Sequence, residues 1–97
     1  MRSANHAAIL AAIDLLGQRW MLRVLWELEP GPLGFLELRR RMGNCSSSVL
    51  STRLQQLQAA GLVDKHGTRG SYELTPATGR RLAEALQPVW DWAEKEG

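Results

Sequence analysis

Apolar residues recur at helical spacing along the first half of the chain, and this spacing predicts four helices. The first helix runs from Asn5, as its N-cap, to Leu16, and the side opposite its apolar stripe also carries few charges. A helix that is apolar on most sides needs burial on most sides, which one small domain does not offer. The pattern therefore predicts a partner subunit against this helix.

Two shorter helices follow after Gly17, which breaks the first pattern. Residues 18–28 repeat apolar side chains every four positions, and the segment 29–32, Glu-Pro-Gly-Pro, ends that helix because proline cannot continue it. Residues 35–42 form the third helix. Its predicted inward side chains are Phe35, Leu38 and Met42, and its largely outward ones are Glu37, Arg39, Arg40 and Arg41.

The fourth predicted helix, Ser46 to Ala60, has two faces of different chemistry. Ser46 is its N-cap and Gly61 supplies the left-handed stop. The buried stripe comprises Val49, Leu50, Leu54 and Leu57, and the exposed face comprises Ser47, Ser48, Ser51, Thr52, Gln55 and Gln58. A face that only meets solvent more often carries Glu and Lys. Hydroxyls at a helix N-terminus are suited to hydrogen bonds with base edges or phosphates.

A two-stranded hairpin and a long helix complete the chain. Residues 62–66 and 71–74 are the two strands about a Gly-rich turn, and Tyr72 and Leu74 alternate with polar neighbours. A short strand near Leu33 is expected to pair with the hairpin. Thr75 as N-cap and Pro76 as first residue open the last helix, which runs to about Glu94. Pro88 predicts a kink or break within it. The order α-α-α-α-β-β-α predicts a mainly α fold with a small hairpin (α+β), a winged helix-turn-helix.

Composition restricts the class of protein further. A chain of 97 residues with 44% hydrophobic and 23% charged residues suits one globular domain, 1–97. Cys45 is the single cysteine, which excludes an internal disulfide and favours a reducing compartment. No signal peptide is recognisable, and no apolar run approaches the ~20 residues that span a bilayer. We therefore expect a cytoplasmic protein without a membrane partner.

Positive charge is concentrated in the middle of the chain. The stretch 39–69 holds six bases and one acid, Asp64, whereas the remainder holds six bases and nine acids. A basic stretch within a mildly acidic chain is typical of a nucleic-acid-binding face, although a solvated charged surface has the same appearance.

Catalytic and metal chemistry find no support in the residue pattern. Ser46–Ser48 have no histidine or acid at a spacing that would activate a hydroxyl, and no Gly-rich phosphate loop is present. His6 and His66 lack metal-ligand spacing. Cys45 precedes a helix N-terminus, which lowers a thiol pKa, so it is either a redox-sensitive thiol or a small core residue. We predict no enzyme, no cofactor and no metal.

At this point the chain resembles the HxlR-type family of winged-helix regulators, which is close to the MarR type. The resemblance extends from about Ala7 to Ala93. Its strongest pieces are Gly17 to Trp20 with Leu22, Val24 and Leu25; Gly31-Pro32 with Phe35 and Leu38; Cys45 to Leu62; and Tyr72 to Pro76 with Gly79. It implies a dimer built from the first and last helices, the fourth helix in the major groove and the wing along the backbone or minor groove.

Three departures from the family pattern bear on function. Ala7-Ala8 stand where many members carry a Cys-Pro pair, so that thiol sensor is absent. Gly34 stands where the family has a basic residue, and the wing is about five residues shorter than usual. These departures motivate an alternative, a winged-helix protein-interaction module that does not bind DNA.

The resulting hypothesis is a homodimeric transcriptional regulator that binds a pseudo-palindromic double-stranded operator. Helices 5–16 and 76–94 would dimerise, and 18–75 would form the DNA-binding core. The predicted DNA contacts are Arg40, Ser46, Ser47, Ser48, Ser51, Thr52, Arg53, Lys65 and Arg69, and the predicted dimer contacts are Ile9, Ile13, Leu86, Val89 and Trp90. For Arg53 the alternative is an ion pair within or between helices. A small-molecule effector could bind between the terminal helices and the DNA-binding core, but its identity, the operator and the sign of regulation do not follow from the residues.

Overall fold

Five helices and a small antiparallel sheet follow one another along the chain. The computed structural model describes residues 2–67 and 70–97, with side chains from residue 5 onward. The elements are α1 (Arg2–Leu16), α2 (Met21–Leu28), β1 (Leu33–Gly34), α3 (Phe35–Arg41), α4 (Ser47–Ala59), β2 (Val63–His66), β3 (Ser71–Leu74) and α5 (Thr78–Glu96). This order confirms the predicted winged helix-turn-helix.

The start of α1 differs from the prediction. The helix begins at Arg2, so Asn5 lies inside it and is not the N-cap. Its end is as predicted, because the Gly17 amide donates to the Ile13 carbonyl at 2.8 Å and the chain then turns. Alanine-rich sequence continues a helix in either direction from a good starting point, and this propensity outweighed the capping signal of asparagine.

The start of α2 lies three residues later than the periodicity predicts. Trp20 has φ 76°, a left-handed conformation that cannot belong to a right-handed helix, and α2 begins at Met21. The Arg19 guanidinium lies 5.2 Å from the centre of the Trp20 ring, within cation–π range. The segment 17–20 is therefore a structured turn rather than the first turn of a helix.

The long helix α5 also begins later than predicted, at Thr78. Thr75 still contributes a cap, because its Oγ1 accepts a hydrogen bond from the Gly79 amide at 2.7 Å and donates to the Gly61 carbonyl at 2.9 Å. The helix runs without interruption through Pro88, so the predicted break is wrong. The Thr-Pro signal marked the turn that precedes the helix, two residues before its first residue.

The three strands form one sheet with β3 at its centre, in the order β1-β3-β2. Leu33 pairs with Tyr72, and Val63 pairs with Leu74. Along β3, Tyr72 and Leu74 are buried, whereas Ser71 and Glu73, which alternate with them, are half-buried. This is the alternation predicted for the hairpin. The expected strand near Leu33 is confirmed.

One hydrophobic core joins α2, α3, α4 and the sheet. Its most deeply buried side chains are Met21, Val24, Leu28, Leu38, Met42, Leu50, Leu54, Leu57 and Val63. By contrast, α5 buries only Gly79 and Ala83, and α1 buries none of its side chains from residue 5 onward. The two terminal helices therefore leave apolar side chains on the surface, including Ile9, Leu10 and Ile13 of α1.

Candidate nucleic-acid interface

Helices α3 and α4 form a helix-turn-helix unit whose turn is held by Arg39. The turn places Gly43 and Asn44 in left-handed conformations, with φ of 71° and 58°. The Asn44 amide donates to the Arg39 carbonyl at 2.9 Å, and Arg39 Nε donates to the Cys45 carbonyl at 2.6 Å. Arg39 therefore fixes the angle between the two helices through its side chain.

The N-terminus of α4 begins as the sequence predicts. Ser46 is the N-cap, with its Oγ accepting from the Val49 amide at 3.4 Å. Ser46 Oγ and Ser48 Oγ lie 3.0 Å apart, so one donates to the other. The predicted buried stripe of Leu50, Leu54 and Leu57 is confirmed, whereas Val49 is only partly buried.

The exposed side of α4 carries the predicted hydroxyl groups, which we call the hydroxyl face: Ser46, Ser47, Ser48, Ser51 and Thr52. All are exposed except Ser51, which is partly buried. Thr52 Oγ1 donates its proton to the Ser48 carbonyl at 2.9 Å, which leaves the oxygen lone pairs of that hydroxyl as acceptors. The face thus places serine hydroxyls, and the Thr52 oxygen as an acceptor, at a helix N-terminus.

Glu37 holds two of the arginines of α3, in an arrangement we call the Glu37 clamp. Arg40 Nη2 lies 2.6 Å from Glu37 Oε1, and Arg41 Nε lies 2.9 Å from Glu37 Oε2. Hydrogen bonds from Arg40 and then from Arg41 lower the pKa of Glu37, and the bond to Glu37 raises the pKa of Arg40. The carboxylate is therefore ionised at neutral pH and partly neutralises the basic stretch.

This clamp was not predicted, although the sequence contains a signal for it. Glu37 lies just outside the stretch 39–69 whose charge was counted. Its separations of three and four residues from Arg40 and Arg41 are the spacings at which side chains meet on a helix.

Arg53 neither extends freely into solvent nor forms an ion pair with any residue that the structure describes. Its Nε donates to the Arg19 carbonyl at 2.8 Å and its Nη1 donates to Gln56 Oε1 at 3.1 Å. Gln56 in turn donates to Gln18 at 3.1 Å. The ion pair that was the alternative for Arg53 is therefore not found among the described residues. Instead Arg53 binds the left-handed turn before α2, which positions α4 against that turn and uses two of the five guanidinium donors.

The wing is short and its described part is organised around Tyr72. Lys65 is exposed, with Nζ 5.7 Å from the centre of the Tyr72 ring. His66 Nε2 lies 2.8 Å from Glu73 Oε1 on the neighbouring strand. Arg69, the predicted wing contact, lies outside the described residues. Lys65 is thus the predicted wing cation whose position is defined.

The remaining candidate features are a metal site, the Cys45 thiol and a membrane-spanning helix. In residues 2–67 and 70–97, no three His, Cys, Asp or Glu side chains gather in a way that could hold a metal ion. Cys45 is a free thiol and is buried, as expected of a small core residue. Among the described helices, none is both long and apolar enough to cross a bilayer.

Known proteins resemble this chain over most of the helices and strands described above. The family model described as HxlR-like helix-turn-helix matches residues 15–97. The chain is 33% identical over 87 residues to the HTH-type transcriptional regulator YvaP of Bacillus subtilis (strain 168), a match that covers 84% of this chain and 80% of YvaP.

Two solved structures share the fold along almost the whole chain. Quinone-bound YodB from B. subtilis is 28% identical with a TM-score of 0.80, and the match covers 91% of this chain and 96% of YodB. A MarR-family transcriptional regulator from Enterococcus faecalis V583 is 29% identical with a TM-score of 0.81, and covers 93% of this chain and 86% of its own. The family consists of regulators rather than enzymes, and this protein belongs to it: it is an HxlR-like helix-turn-helix transcriptional regulator that binds DNA.

Proposed function

We propose that the protein acts as a homodimer that reads a pseudo-palindromic operator, with α4 of each protomer in the major groove. The observation that carries this proposal is the hydroxyl face of α4, which is exposed at a helix N-terminus while the opposite side of the helix is buried. In a helix-turn-helix protein the N-terminal residues of the second helix contact base edges. Serine hydroxyls both donate and accept, so they suit either type of base edge, whereas Thr52, whose proton is bonded to the Ser48 carbonyl, offers an acceptor.

Phosphate contacts complete the proposed interface. We assign the bases to Ser47, Ser48, Ser51 and Thr52, with Ser46 at the adjoining helix terminus, and the phosphates to Arg40, Arg53, Lys65 and Arg69. Lys65 is exposed, and Arg53 retains donors beyond those that hold the turn. Arg40 must leave Glu37 in order to bind a phosphate. The proposed binding to DNA phosphates is therefore weaker than the number of cations suggests.

The terminal helices supply the proposed dimer interface. Ile9 and Ile13 are 57% and 58% exposed and lie four residues apart, hence on one face of α1. On α5, Val89 is exposed and Leu86 and Trp90 are partly buried. Covering these apolar side chains with a second subunit would stabilise the dimer, because burial removes their surface from water.

Selection of bound sequences from random duplex DNA tests the complete proposal. Two α4 helices related by a two-fold axis would enter successive major grooves about 34–36 Å apart. The selected sites should therefore contain inverted half-sites with centres about 10 base pairs apart or a multiple of one helical turn. Recovery of single, unrepeated half-sites would contradict the dimeric arrangement.

Replacement of Ile13 by glutamate should weaken dimerisation by at least about tenfold, since it would place a charge in an apolar interface. Sedimentation velocity across a concentration series measures the dissociation constant. The matched control is Leu36→Glu, which makes the same kind of change at a 78%-exposed apolar position on α3. An unchanged dissociation constant for Ile13→Glu would remove α1 from the interface.

Replacement of Glu37 by glutamine should strengthen duplex binding, by roughly three- to tenfold at low salt. The change frees Arg40 and Arg41 and removes a negative charge that phosphates would meet. Because the pKa of Glu37 is lowered in the folded protein, the clamp is intact at neutral pH and is lost only as the pH falls through that lowered value. The tighter duplex binding of the variant, relative to the wild type, should therefore disappear in acid.

A salt titration of a mobility shift measures this effect, with Glu84→Gln as control. Glu84 is an exposed residue of α5, so its substitution makes the same change in net charge away from α3. Equal or weaker binding by Glu37→Gln would show that Arg40 and Arg41 do not reach the duplex.

The proposal includes a small-molecule effector. YodB, which shares the fold over 91% of this chain, has been solved with a bound quinone. A ligand seated between a terminal helix and the DNA-binding core would change the angle between them, and hence the spacing of the two α4 helices in the dimer.

A further inference from the structure

A cleft of about 410 Å³ separates α2 from the second half of α5. Its volume lies in the range of small-molecule sites. Trp26 and Trp90 form its aromatic walls, and Arg23, Glu29 and Glu94 are the charged residues along it. The cleft thus joins a helix of the DNA-binding core to a terminal helix.

Trp26 and Trp90 have ring surface that does not pack in the hydrophobic core. Trp26 is 48% exposed, and Trp90, which also belongs to the proposed dimer interface, is only partly buried within the protomer. Neither belongs to the buried core cluster. An exposed tryptophan face attracts cations, because the π electrons give the face a partial negative charge.

Arg23 is the single cation among the described residues that line the cleft, and it is already engaged by protein groups outside the cleft. Arg23 Nε lies 2.8 Å from the buried carboxylate of Glu27, and Arg23 Nη2 donates to the Arg41 carbonyl at 2.7 Å. An incoming anion would have to compete with both partners. Arg23 therefore contributes little attraction for an anionic ligand.

The carboxylates of Glu29 and Glu94, which line the cleft, differ from Arg23 in their partners. Within the part of the chain that the structure describes, Glu29 and Glu94 form no ion pair, and Arg80 donates to the main-chain oxygen of Glu29 at 2.7 Å. Among the described residues that line the cleft, two carboxylates, Glu29 and Glu94, stand against one guanidinium, Arg23, which leaves an excess of one negative charge. Glu94 also lies in the last turn of α5, where the helix dipole favours positive charge.

We propose that this cleft binds a hydrophobic organic cation, such as a quaternary ammonium or an aromatic amine. The rings of Trp26 and Trp90 contact its apolar part and its positive group, and the carboxylates of Glu29 and Glu94 balance its charge. This inference specifies the ligand class of the effector and rests on that part of the proposed function.

Titration with benzyltrimethylammonium chloride tests the site, followed by tryptophan fluorescence and by calorimetry. We expect saturable binding of one cation per chain and binding weakened by about tenfold or more in the double variant Glu29→Gln/Glu94→Gln. Glu84→Gln, an exposed α5 substitution outside the cleft lining, should bind as the wild type does. Trp26→Phe should retain part of the affinity, and Trp26→Ala should lose it.

Benzoate and benzyl alcohol, an anion and a neutral compound of similar size, separate charge recognition from general aromatic binding. Tighter binding of benzoate, equal binding of all three probes, or no loss in the double carboxylate variant would overturn the proposal. So would binding that appears only in the Ile13→Glu monomer, because the cleft would then be covered by the second subunit.

The failure of this site can be distinguished from failure of the proposed function. Duplex binding is measured on the same protein without the probe. Retained duplex binding with no cation binding rejects the cleft alone, and cation binding with no selected operator rejects the operator alone.

Discussion

Aspartate in place of Ser47 is expected to reduce the affinity for operator DNA by about a hundredfold or more without destabilising the fold. Ser47 is the first residue of α4, and its side chain is exposed. A carboxylate there would meet the negative potential of the duplex and would replace a hydroxyl donor with a group that only accepts. The same carboxylate at a helix N-terminus stabilises the helix by about 0.3–1 kcal/mol.

The opposite signs of these two effects make the result specific to DNA binding. Thr78→Asp is the matched control, since Thr78 is the first residue of α5 and is also exposed. A mobility shift on the selected operator measures affinity, and urea denaturation measures the free energy of unfolding. If Ser47→Asp and Thr78→Asp bind the operator equally well, the hydroxyl face of α4 is not the surface that faces the duplex.

Alanine in place of Gly79 is expected to destabilise the protein by about 1–3 kcal/mol and to lower the Tm by roughly 5–20 °C. Glycine to alanine inside a helix ordinarily stabilises, by up to about 1 kcal/mol. Here a Cβ would overlap the main-chain oxygen of Leu62 and lie 3.0 Å from Thr75 Oγ1 and 3.1 Å from Leu74 Cβ. The Leu62 oxygen is a main-chain atom immediately before β2 and cannot move aside as a flexible side chain does, so the clash decides the sign.

Gly31→Ala provides the comparison for this prediction. A Cβ on Gly31 would meet no atom within 4 Å. That substitution should be neutral or slightly stabilising, because alanine reduces the conformational freedom of the unfolded chain. Thermal unfolding followed by circular dichroism separates the two variants. A Gly79→Ala variant as stable as Gly31→Ala would mean that α5 can shift away from the sheet at little cost.

Elements set by local signals were well predicted. The N-cap at Ser46, the glycine after α4 and the alternation of Tyr72 and Leu74 all depend on residues close in sequence, and each is found as expected. The starts of α1, α2 and α5 were less accurate. At α2 the cause is the left-handed backbone of Trp20. The neighbouring residue, Arg19, accepts a hydrogen bond from Arg53 of α4 at its carbonyl.

The helical pattern predicted which side of α4 is exposed but not which arginines are already bonded within the fold, and the DNA contacts themselves stay predictions. The hydroxyl side chains of α4 are located as the helical pattern indicates, because one buried stripe determines which side of a helix is exposed. The arginines were counted as free charges, whereas Arg39 holds the turn, Arg40 is held by Glu37 and Arg53 binds a carbonyl. A long arginine side chain reaches any acceptor within its radius, so its partner depends on the assembled fold.

By itself the sequence determined the order of elements, the winged helix-turn-helix architecture and the chemistry of the α4 surface, since hydrophobic periodicity, caps and glycine stops act over a few residues. The tertiary structure alone decided that Arg53 is engaged, why position 79 requires glycine and where α2 and α5 leave a cleft between them. These features join residues that are distant along the chain, so no local pattern encodes them.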